Sequence, residues 1–523
     1  MVGKRYPAGG AVVALALILL AWAPRPALAN GWEHGAVPFE TLIEALSFES
    51  PAIREQAAHS LGFRGQPEAI LPLLDRLAVP EPDGGVRQAL YVALGQLGAT
   101  EALPRLAICL TEESSAPIRA HCVEALGSLG SARALEIVLD TLGRTTDALV
   151  RDHAVEALGR FDDERAVVAL MGLLRADADP VLRGRALLAL GRTGSDAAVA
   201  PVLNAFETAA GDAERFVALR ALAELRAPAA TEALSAALDR TGDPRLRAAI
   251  AVALGASRDG EAAGTLLALL EDPVPAVRYV AVDGLQSLGV TSAAPALAAL
   301  AQREAAALAG RSADALAADR LRTVATLSLQ VRALRAAVAL DASKATAALL
   351  EAAEPLAMAR DSTAGVEIAA AIYQRRRIAL YGLGYASGSA REAARDLLLG
   401  PGGIGERDAR LRAVAVRSLG VLDAPGAEDR IRPLLGGDPS ADVRMMAARV
   451  LGLLHDHASA PALLSALDDA HALVRKEAAL ALGYLREPAA RAALETLAAD
   501  DRSGAVREAA AYALTLLPAT GEP

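Results

Sequence analysis

The stretch Leu473-Val474-Arg475-Lys476-Glu477-Ala478-Ala479-Leu480-Ala481-Leu482-Gly483 recurs, in varied form, from one end of the chain to the other. Its pattern is a Val-Arg pair, a run of small residues and a Leu-Gly pair. A fixed period predicts a solenoid, in which each unit buries its apolar face only by stacking on its neighbours. Copies aligned on the arginine lie mostly 31 to 33 residues apart, at Arg54, Arg87, Arg119, Arg151, Arg183, Arg215, Arg247, Arg278, Arg376, Arg412, Arg444, Arg475 and Arg507.

Each copy predicts two helices. Around Arg87, the apolar residues Val86, Leu90, Leu94 and Leu97 form one stripe at helical spacing. Eight residues after the arginine a glycine stands in ten copies, where it costs about 1 kcal/mol relative to alanine, so we expect an adjacent helix to approach it closely. We call the arginine-bearing helix B, the Leu-rich helix upstream of it A, and the aligned arginines the ladder arginines.

The residues of this pattern resemble a known repeat. Asp-Pro, then Val-Arg and Ala-Leu-Gly, followed by Ala-Leu-Pro-x-Leu-Leu, is similar to the HEAT repeat in the form found in phycobilisome-lyase-like proteins; residues 272–285 and 438–452 carry it best. The resemblance covers nearly the whole mature chain and implies an all-α fold, a right-handed α-solenoid of about fifteen helix pairs. HEAT families include transport receptors, phosphatase scaffolds, pigment lyases and deoxyhypusine hydroxylase, so the fold does not choose a function.

The first 29 residues have the organisation of a signal peptide. Lys4 and Arg5 precede an apolar run of about thirteen residues, which is shorter than the roughly twenty that span a bilayer, and Ala27-Leu28-Ala29 provides a small-residue cleavage site. An uncleaved membrane anchor is the alternative. We predict an exported protein, periplasmic or extracellular, that begins at Asn30.

The mature chain divides by its repeats. The first array covers residues 30–286 and the second covers 366–517, with residues 518–523 as a flexible tail. Between Arg278 and Arg376 lie 98 residues, room for three periods, so two degenerate units are expected in 287–365, or else an inserted domain. The match of Leu517-Pro518-Ala519-Thr520-Gly521 to a sortase signal lacks the hydrophobic segment that such a signal requires.

Charge and composition exclude one class of partner. The net charge is −10, and it becomes −13 once the three basic residues of the leader are removed. An acidic surface repels phosphates, and an aromatic content of 3% provides few stacking platforms, so we expect no nucleic acid. No second apolar run is long enough to predict a membrane span.

The ladder arginines are the largest set of regularly placed charges. An acidic residue stands six positions before many of them, as Glu81, Glu113, Asp177, Asp272, Glu406, Asp438, Asp469 and Asp501. In HEAT proteins such residues resemble a stack of ion pairs between repeats. We assign this structural role to every aligned arginine except Arg215 and Arg376.

Catalysis has weaker support in the sequence. Deoxyhypusine hydroxylase binds iron through His-Glu pairs, and the sequence contains none. The cluster His455-Asp456-His457 is interpreted as a solvated turn, because a metal site needs three or four supported ligands. We therefore expect no metal, no cofactor and no enzymatic activity; an accessory enzyme or lyase-like factor acting on a bound protein is the alternative.

A protein-binding site is the class that remains. Tyr373, Tyr381 and Tyr385 fall within thirteen residues that also contain Arg375-Arg376-Arg377, and tyrosine and arginine concentrate binding energy at interfaces. Ordinary packing of aromatic residues is the alternative. The functional hypothesis is a scaffold that binds a protein or peptide along its concave surface, with these six residues contributing disproportionately.

The two cysteines, Cys109 and Cys122, lie at equal distances from the turn of one helix pair. Antiparallel helices would bring them opposite each other, and in an oxidising compartment such a pair tends to oxidise. We predict a disulfide, with two buried free thiols as the alternative because packed helices often lie too far apart for the bond.

Overall fold

The structure is a computed structural model that describes residues 37–176, 179–309, 311–354 and 363–518. The predicted signal peptide, residues 1–29, and most of the predicted tail, residues 519–523, lie outside these ranges. The described part of the chain contains α-helices and short 3₁₀ turns and no strand. It divides into two compact units, an N-terminal and a C-terminal one, between Leu266 and Leu267.

The helices follow one another with short connections. In the N-terminal unit they are α1 Phe39–Ala45, α2 Pro51–Arg64, α3 Ile70–Ala78, α4 Gly84–Gln96, α5 Leu103–Glu112, α6 Ala116–Leu129, α7 Ala132–Arg144, α8 Ala148–Leu158, α9 Glu164–Ala176, α10 Pro180–Thr193, α11 Val199–Thr208, α12 Asp212–Leu225, α13 Thr231–Arg240 and α14 Pro244–Ala256. Helix α15, Ala262–Leu269, contains the division between the units. In the C-terminal unit they are α16 Pro275–Ser287, α17 Ala294–Ala306, α18 Ala313–Ala318, α19 Arg320–Asp341, α20 Thr346–Ala353, α21 Thr363–Leu383, α22 Ala390–Leu399, α23 Ala409–Leu422, α24 Ala427–Gly437, α25 Ala441–Leu453, α26 Ala460–Ala466, α27 Ala472–Tyr484, α28 Arg491–Asp500 and α29 Gly504–Leu516.

Within each unit, consecutive B helices pack on one another, and A helices pack on the B helices that follow them. Pairing the helices along the described residues gives fourteen A–B pairs, so the all-α HEAT-like solenoid predicted from the period is confirmed. The apolar stripe of the B helix forms the core: Val86, Leu90 and Leu94 are fully buried. Burial of each such side chain contributes about 1.5 to 3 kcal/mol.

The glycine eight residues after the ladder arginine marks the contact between consecutive B helices. A Cβ on Gly95 would lie 2.7 Å from the Cα of Ala125, and one on Gly483 would lie 2.8 Å from the Cα of Ala513. Real Cβ atoms do not approach backbone so closely, so only glycine permits this helix spacing. The expected close approach is confirmed in both units.

The middle of the chain differs from the prediction of two degenerate units. After the B helix α16, the next B helix is α19, which is 22 residues long, and the one after it is α21, with 21 residues. Helix α19 packs on α16, α17 and α21. The long helices and the additional short helix α18 therefore account for the 98 residues between Arg278 and Arg376. One expanded unit lies there, where two ordinary units were expected.

The segment Arg320–Ala353 is long and apolar enough to cross a membrane by length and composition alone, with a mean hydropathy of 1.2. It comprises α19, a 3₁₀ turn and α20, and 44% of its apolar window is buried inside the protein. Its helices contact α17 and α21, which is the environment of a core helix pair.

Candidate functional site

The ladder arginines join each unit to the next. Arg475 donates from Nε and Nη2 to the carboxylate of Asp501 in the following unit, at 2.7 and 2.9 Å, and from Nη1 to the carbonyl oxygen of Asp469 in its own turn, at 2.8 Å. Asp501 also accepts from the backbone N–H of Ser503 at 2.8 Å. One guanidinium therefore fixes two turns at once.

The same ion pair repeats along both units. The pairs are Arg54–Glu81, Arg87–Glu113, Arg119–Asp147, Arg183–Glu214, Arg278–Glu304, Arg376–Glu406, Arg412–Asp438 and Arg444–Asp469. Asp147, Glu214 and Glu304 pair with ladder arginines from positions other than the predicted one. Asp177 lies outside the described residues. Arg247 and Arg507 donate to carbonyl oxygens of their own turns.

The ladder shifts the pKa values of its carboxylates. The hydrogen bond from Arg444 lowers the pKa of Asp469, and the one from Arg475 lowers the pKa of Asp501, in both cases against the effect of burial. These carboxylates are ionised and paired at neutral pH, so the ladder provides structural support.

Two of the six predicted partner-binding residues are interior, and the prediction for them was wrong. Arg375 is 2% exposed and donates to the carbonyl oxygens of Glu351 and Glu354, at 2.9 and 3.0 Å, where α20 ends. Burial lowers its pKa to about 10. Carbonyls at a helix end lack partners within the helix, and Arg375 satisfies them. Arg376 is 9% exposed and pairs with Glu406, so it is a ladder arginine.

Arg377, Tyr381 and Tyr385 do reach solvent, and they line a groove. Its volume is about 720 Å³, and Arg335, Val338 and Ser343 contribute from α19 and the turn after it. Tyr381 and Tyr385 are 38% and 41% exposed. Their hydroxyls lie 3.3 Å apart. The hydrogen bond with Tyr381, followed by one with Arg417, lowers the pKa of Tyr385.

Arginines from neighbouring B helices stack on the tyrosines of this region. Arg417 lies over the ring of Tyr381 at 4.4 Å from its centroid, and Arg410 lies over Tyr373 at 4.5 Å. Such cation–π contacts contribute about 0.5 to 1 kcal/mol at exposed sites. Arg410 therefore covers part of Tyr373, and Arg417 covers one face of Tyr381, which also lines the groove.

The charges around the groove are mostly positive. Arg335 is exposed and makes no ion pair with any described residue, and Arg377 has one polar contact, with Gln374 at 3.2 Å. Asp341 is the acid in the lining, and its hydrogen bond with Ser343 lowers its pKa. The arrangement can receive a carboxylate beside an apolar or aromatic group.

Sequence reasoning missed Arg335 and Arg417. The signal for Arg417 was present, because it stands five residues after Arg412, the position that Tyr381 holds after Arg376. Arg335 lies in the long helix α19, which has no ladder register, so no alignment could place it.

The B helices α6, α8 and α10 of the N-terminal unit present polar groups instead. Arg160 donates to Glu124 Oε1 at 3.1 Å and to Ser128 Oγ at 3.0 Å, and Arg185 donates to Glu156 at 2.8 Å. These pairs connect neighbouring B helices, so the polar groups already satisfy one another.

Cys109 on α5 and Cys122 on α6 form a disulfide, with their Cα atoms 6.5 Å apart. In the turn that contains His455 and His457, Asp456 accepts from Arg432 at 2.8 Å. Among the described residues no three His, Cys, Asp or Glu side chains are grouped as a metal site would group them.

A family model described as HEAT repeats matches all of the first array and residues 403–515 of the second. The matched residues are 14–89, 39–126, 73–159, 103–191, 137–223, 172–255, 231–317, 403–472 and 429–515. The model is that of HEAT repeats in general, so the phycobilisome-lyase-like form stays a prediction. No curated protein matches the sequence of the chain.

Solved structures share the fold. Kap95p bound to RanGDP is 14% identical over 92% of this chain and 72% of its own, with a TM-score of 0.55. The Kap95:Nup1 complex is 13% identical over 93% and 73%, also with a TM-score of 0.55. Human deoxyhypusine hydroxylase in complex with glycerol is 24% identical over 48% of this chain and 95% of its own, with a TM-score of 0.23. At these identities the first two show the fold alone.

Proposed function

The chain belongs to the HEAT-repeat family, and we propose that it is an exported scaffold that binds a protein partner through the B helices of its C-terminal unit. The observation that carries this proposal is the groove of about 720 Å³ that Arg377, Tyr381 and Tyr385 line. Tyrosine and arginine dominate the energetics of protein interfaces. The function is binding without a catalytic step, because these side chains hold and orient a partner.

The fold supports this class of function. Kap95p, which shares the fold, binds RanGDP and Nup1 in the structures compared above. Repeat proteins in general expose an extended surface that one partner can contact over several units. In this chain the B helices α21, α23, α25 and α27 pack on one another in sequence, so a partner seated in the groove has further helices beside it.

Export is supported by two features. The leader predicted over residues 1–29 directs the chain out of the cytoplasm, and the disulfide between Cys109 and Cys122 is a bond that persists in oxidising compartments. Intact mass of the native protein should correspond to a chain starting at Asn30 with no free thiol. A retained leader, or two thiols that titrate in denaturant without reductant, would contradict export.

The test of binding is affinity capture from the native compartment, with the mature chain as bait. A variant carrying Arg377→Ala, Tyr381→Ala and Tyr385→Ala should capture the partner at least about tenfold more weakly. The matched control carries Phe63→Ala on the B helix α2 and Arg160→Ala in the turn after the B helix α8, both exposed positions of the N-terminal unit.

Circular dichroism and the melting temperature of both variants should equal those of the parent chain. The proposed site would be wrong if the triple variant captured the partner as well as the parent chain does. It would also be wrong if the control variant lost as much capture as the triple variant. Loss of helical signal in the triple variant would show that these side chains are structural.

A further inference from the structure

One exposed position differs systematically between the two units. Nine residues after the ladder arginine, the N-terminal unit has mainly polar residues, and the C-terminal unit has four large apolar ones in succession. The polar set is Gln96, Ser128, Arg160, Arg192 and Glu224, a run of five consecutive copies; Phe63, 62% exposed, and Ala256 hold the same position in the first and the seventh copy. The apolar set, which we call the C-terminal row, is Tyr385 (41% exposed), Val421 (41%), Leu453 (60%) and Tyr484 (40%).

The C-terminal row crosses consecutive B helices at equal steps. A Cβ on Gly420 would lie 2.8 Å from Val450, and one on Gly452 would lie 2.7 Å from the Cα of Ala481. The helices that carry the row are thus in direct contact, and equivalent positions on them repeat at about one helix spacing, 8 to 10 Å. A polypeptide in the polyproline II conformation has three residues per turn and rises about 3.1 Å per residue, so every third side chain lies on one face and recurs at about 9 Å, which matches one step.

The charge beside the row is positive, although the whole protein carries −10. Arg377, Arg417, Arg449 and Lys476 lie on the same helices, one or five residues after a ladder arginine. Glu477, next to Lys476, is 5% exposed and bonded to Arg449 at 2.9 and 3.0 Å. Glu367 and Asp442 stand near the N-terminal ends of their helices, whereas the row stands at the C-terminal ends. The charged side chains accessible to a ligand on the row are therefore mainly arginine and lysine.

Resting on the proposed function, we infer that the C-terminal row binds an acidic segment of the partner that carries an apolar side chain at about every third residue. Apolar side chains cover Tyr385, Val421, Leu453 and Tyr484, and the intervening carboxylates pair with the flanking basic residues. A protein segment fits better than an anionic membrane, because the row begins at the groove that Tyr381 and Tyr385 line, and a flat bilayer surface cannot enter a groove.

The test uses fluorescent 15-residue peptides and anisotropy titration of the mature chain. The first peptide is five repeats of Leu-Glu-Asp, the second has the same composition with its leucines clustered, and the third is five repeats of Leu-Lys-Arg. The first should bind at least about tenfold more tightly than the other two. Its affinity should also fall as salt is raised, because salt screens exposed charges.

The protein variants locate the binding. Val421→Asp with Leu453→Asp should weaken binding of the first peptide at least about tenfold. The matched control, Val168→Asp with Val181→Asp, changes valines that are 60% and 62% exposed in the N-terminal unit and should leave binding unchanged. Retained helical circular dichroism shows that each variant is folded.

Three outcomes would overturn the inference: equal affinity for the three peptides, equal loss in the two double variants, or binding to phosphatidylserine vesicles with none to the peptides. If capture of the native partner still depends on Arg377, Tyr381 and Tyr385 in any of these cases, the scaffold proposal stands and only the chemistry assigned to the segment is wrong.

Discussion

The two compact units are alike in their interior and different on the exposed side of their B helices. Gly95 on Ala125 in one unit and Gly483 on Ala513 in the other make the same close contact, to within 0.1 Å. At the position next to that glycine, the N-terminal unit has Gln96 and the C-terminal unit has Tyr484. The repeat therefore constrains the residues that stack, and leaves the exposed positions free to carry function.

The largest expected effect tests the shared interior. Gly95→Val and Gly483→Val each place a branched side chain against backbone atoms of the next B helix, so each should lower the free energy of unfolding by about 3 kcal/mol. The control is Gly172→Ala, in an exposed part of α9 where an added Cβ meets nothing within 4 Å. It should raise stability by about 0.5 to 1 kcal/mol.

Thermal unfolding followed by circular dichroism checks both effects. A loss in one unit only would show that the two interiors are not equivalent. A loss in the control as large as in Gly483→Val would show that the destabilisation does not come from the close contact between B helices.

The ladder should give the next largest effect. Asp501→Ala removes the acceptor of Arg475 and should destabilise the chain by about 2 kcal/mol, because the guanidinium loses two charged hydrogen bonds. Glu113→Ala, which removes the acceptor of Arg87, should act similarly in the N-terminal unit. The control is Glu136→Ala, whose pair with Arg133 has side chains 48% and 72% exposed; its loss should stay below about 1 kcal/mol.

The same carboxylates predict how stability depends on pH. The pKa values of Asp469 and Asp501 are lowered from 3.8, each first by the hydrogen bond from its arginine. A lowered folded-state pKa gives stability that is fully present above the unfolded value and is lost as pH falls through the folded one. The melting temperature should therefore fall steeply below pH 3.8.

The double variant Asp469→Asn with Asp501→Asn separates this cause from general acid unfolding. It should be less stable than the parent chain at neutral pH and should lose less on further acidification. If the melting temperatures of the two proteins fell in parallel as the pH was lowered, other groups would be responsible for the loss of stability in acid.

The sequence predicted the repeated positions well, because every copy of a position has the same surroundings. Arg475 and Gly483 needed only the period to be assigned to the ladder and to the close contact. The prediction that Arg375 binds a partner was wrong because three consecutive arginines point to three sides of a helix. One of those sides faces the carbonyls at the end of α20. That contact depends on the long helices α19 and α21, which carry no repeat signal. The C-terminal row was readable from the sequence, since it needs only the alignment on the arginine.

The smallest effect compares one tyrosine from each unit. The pKa of Tyr91 is raised above 10.0, first by burial, and the pKa of Tyr385 is lowered below 10.0, first by the hydrogen bond with Tyr381. In an ultraviolet titration of phenolate absorbance, Tyr385→Phe should remove an early-titrating group and Tyr91→Phe a late one. Two variants that remove the same part of the curve would contradict the arrangement of Tyr381, Tyr385 and Arg417.

Hydrogen exchange of the mature chain, measured with and without its captured partner, tests the central claim most directly. Binding should slow exchange in the B helices from Thr363–Leu383 to Ala472–Tyr484 and leave the B helices of the N-terminal unit unchanged. Protection concentrated in the N-terminal B helices, or in A helices with the C-terminal row unaffected, would contradict the account.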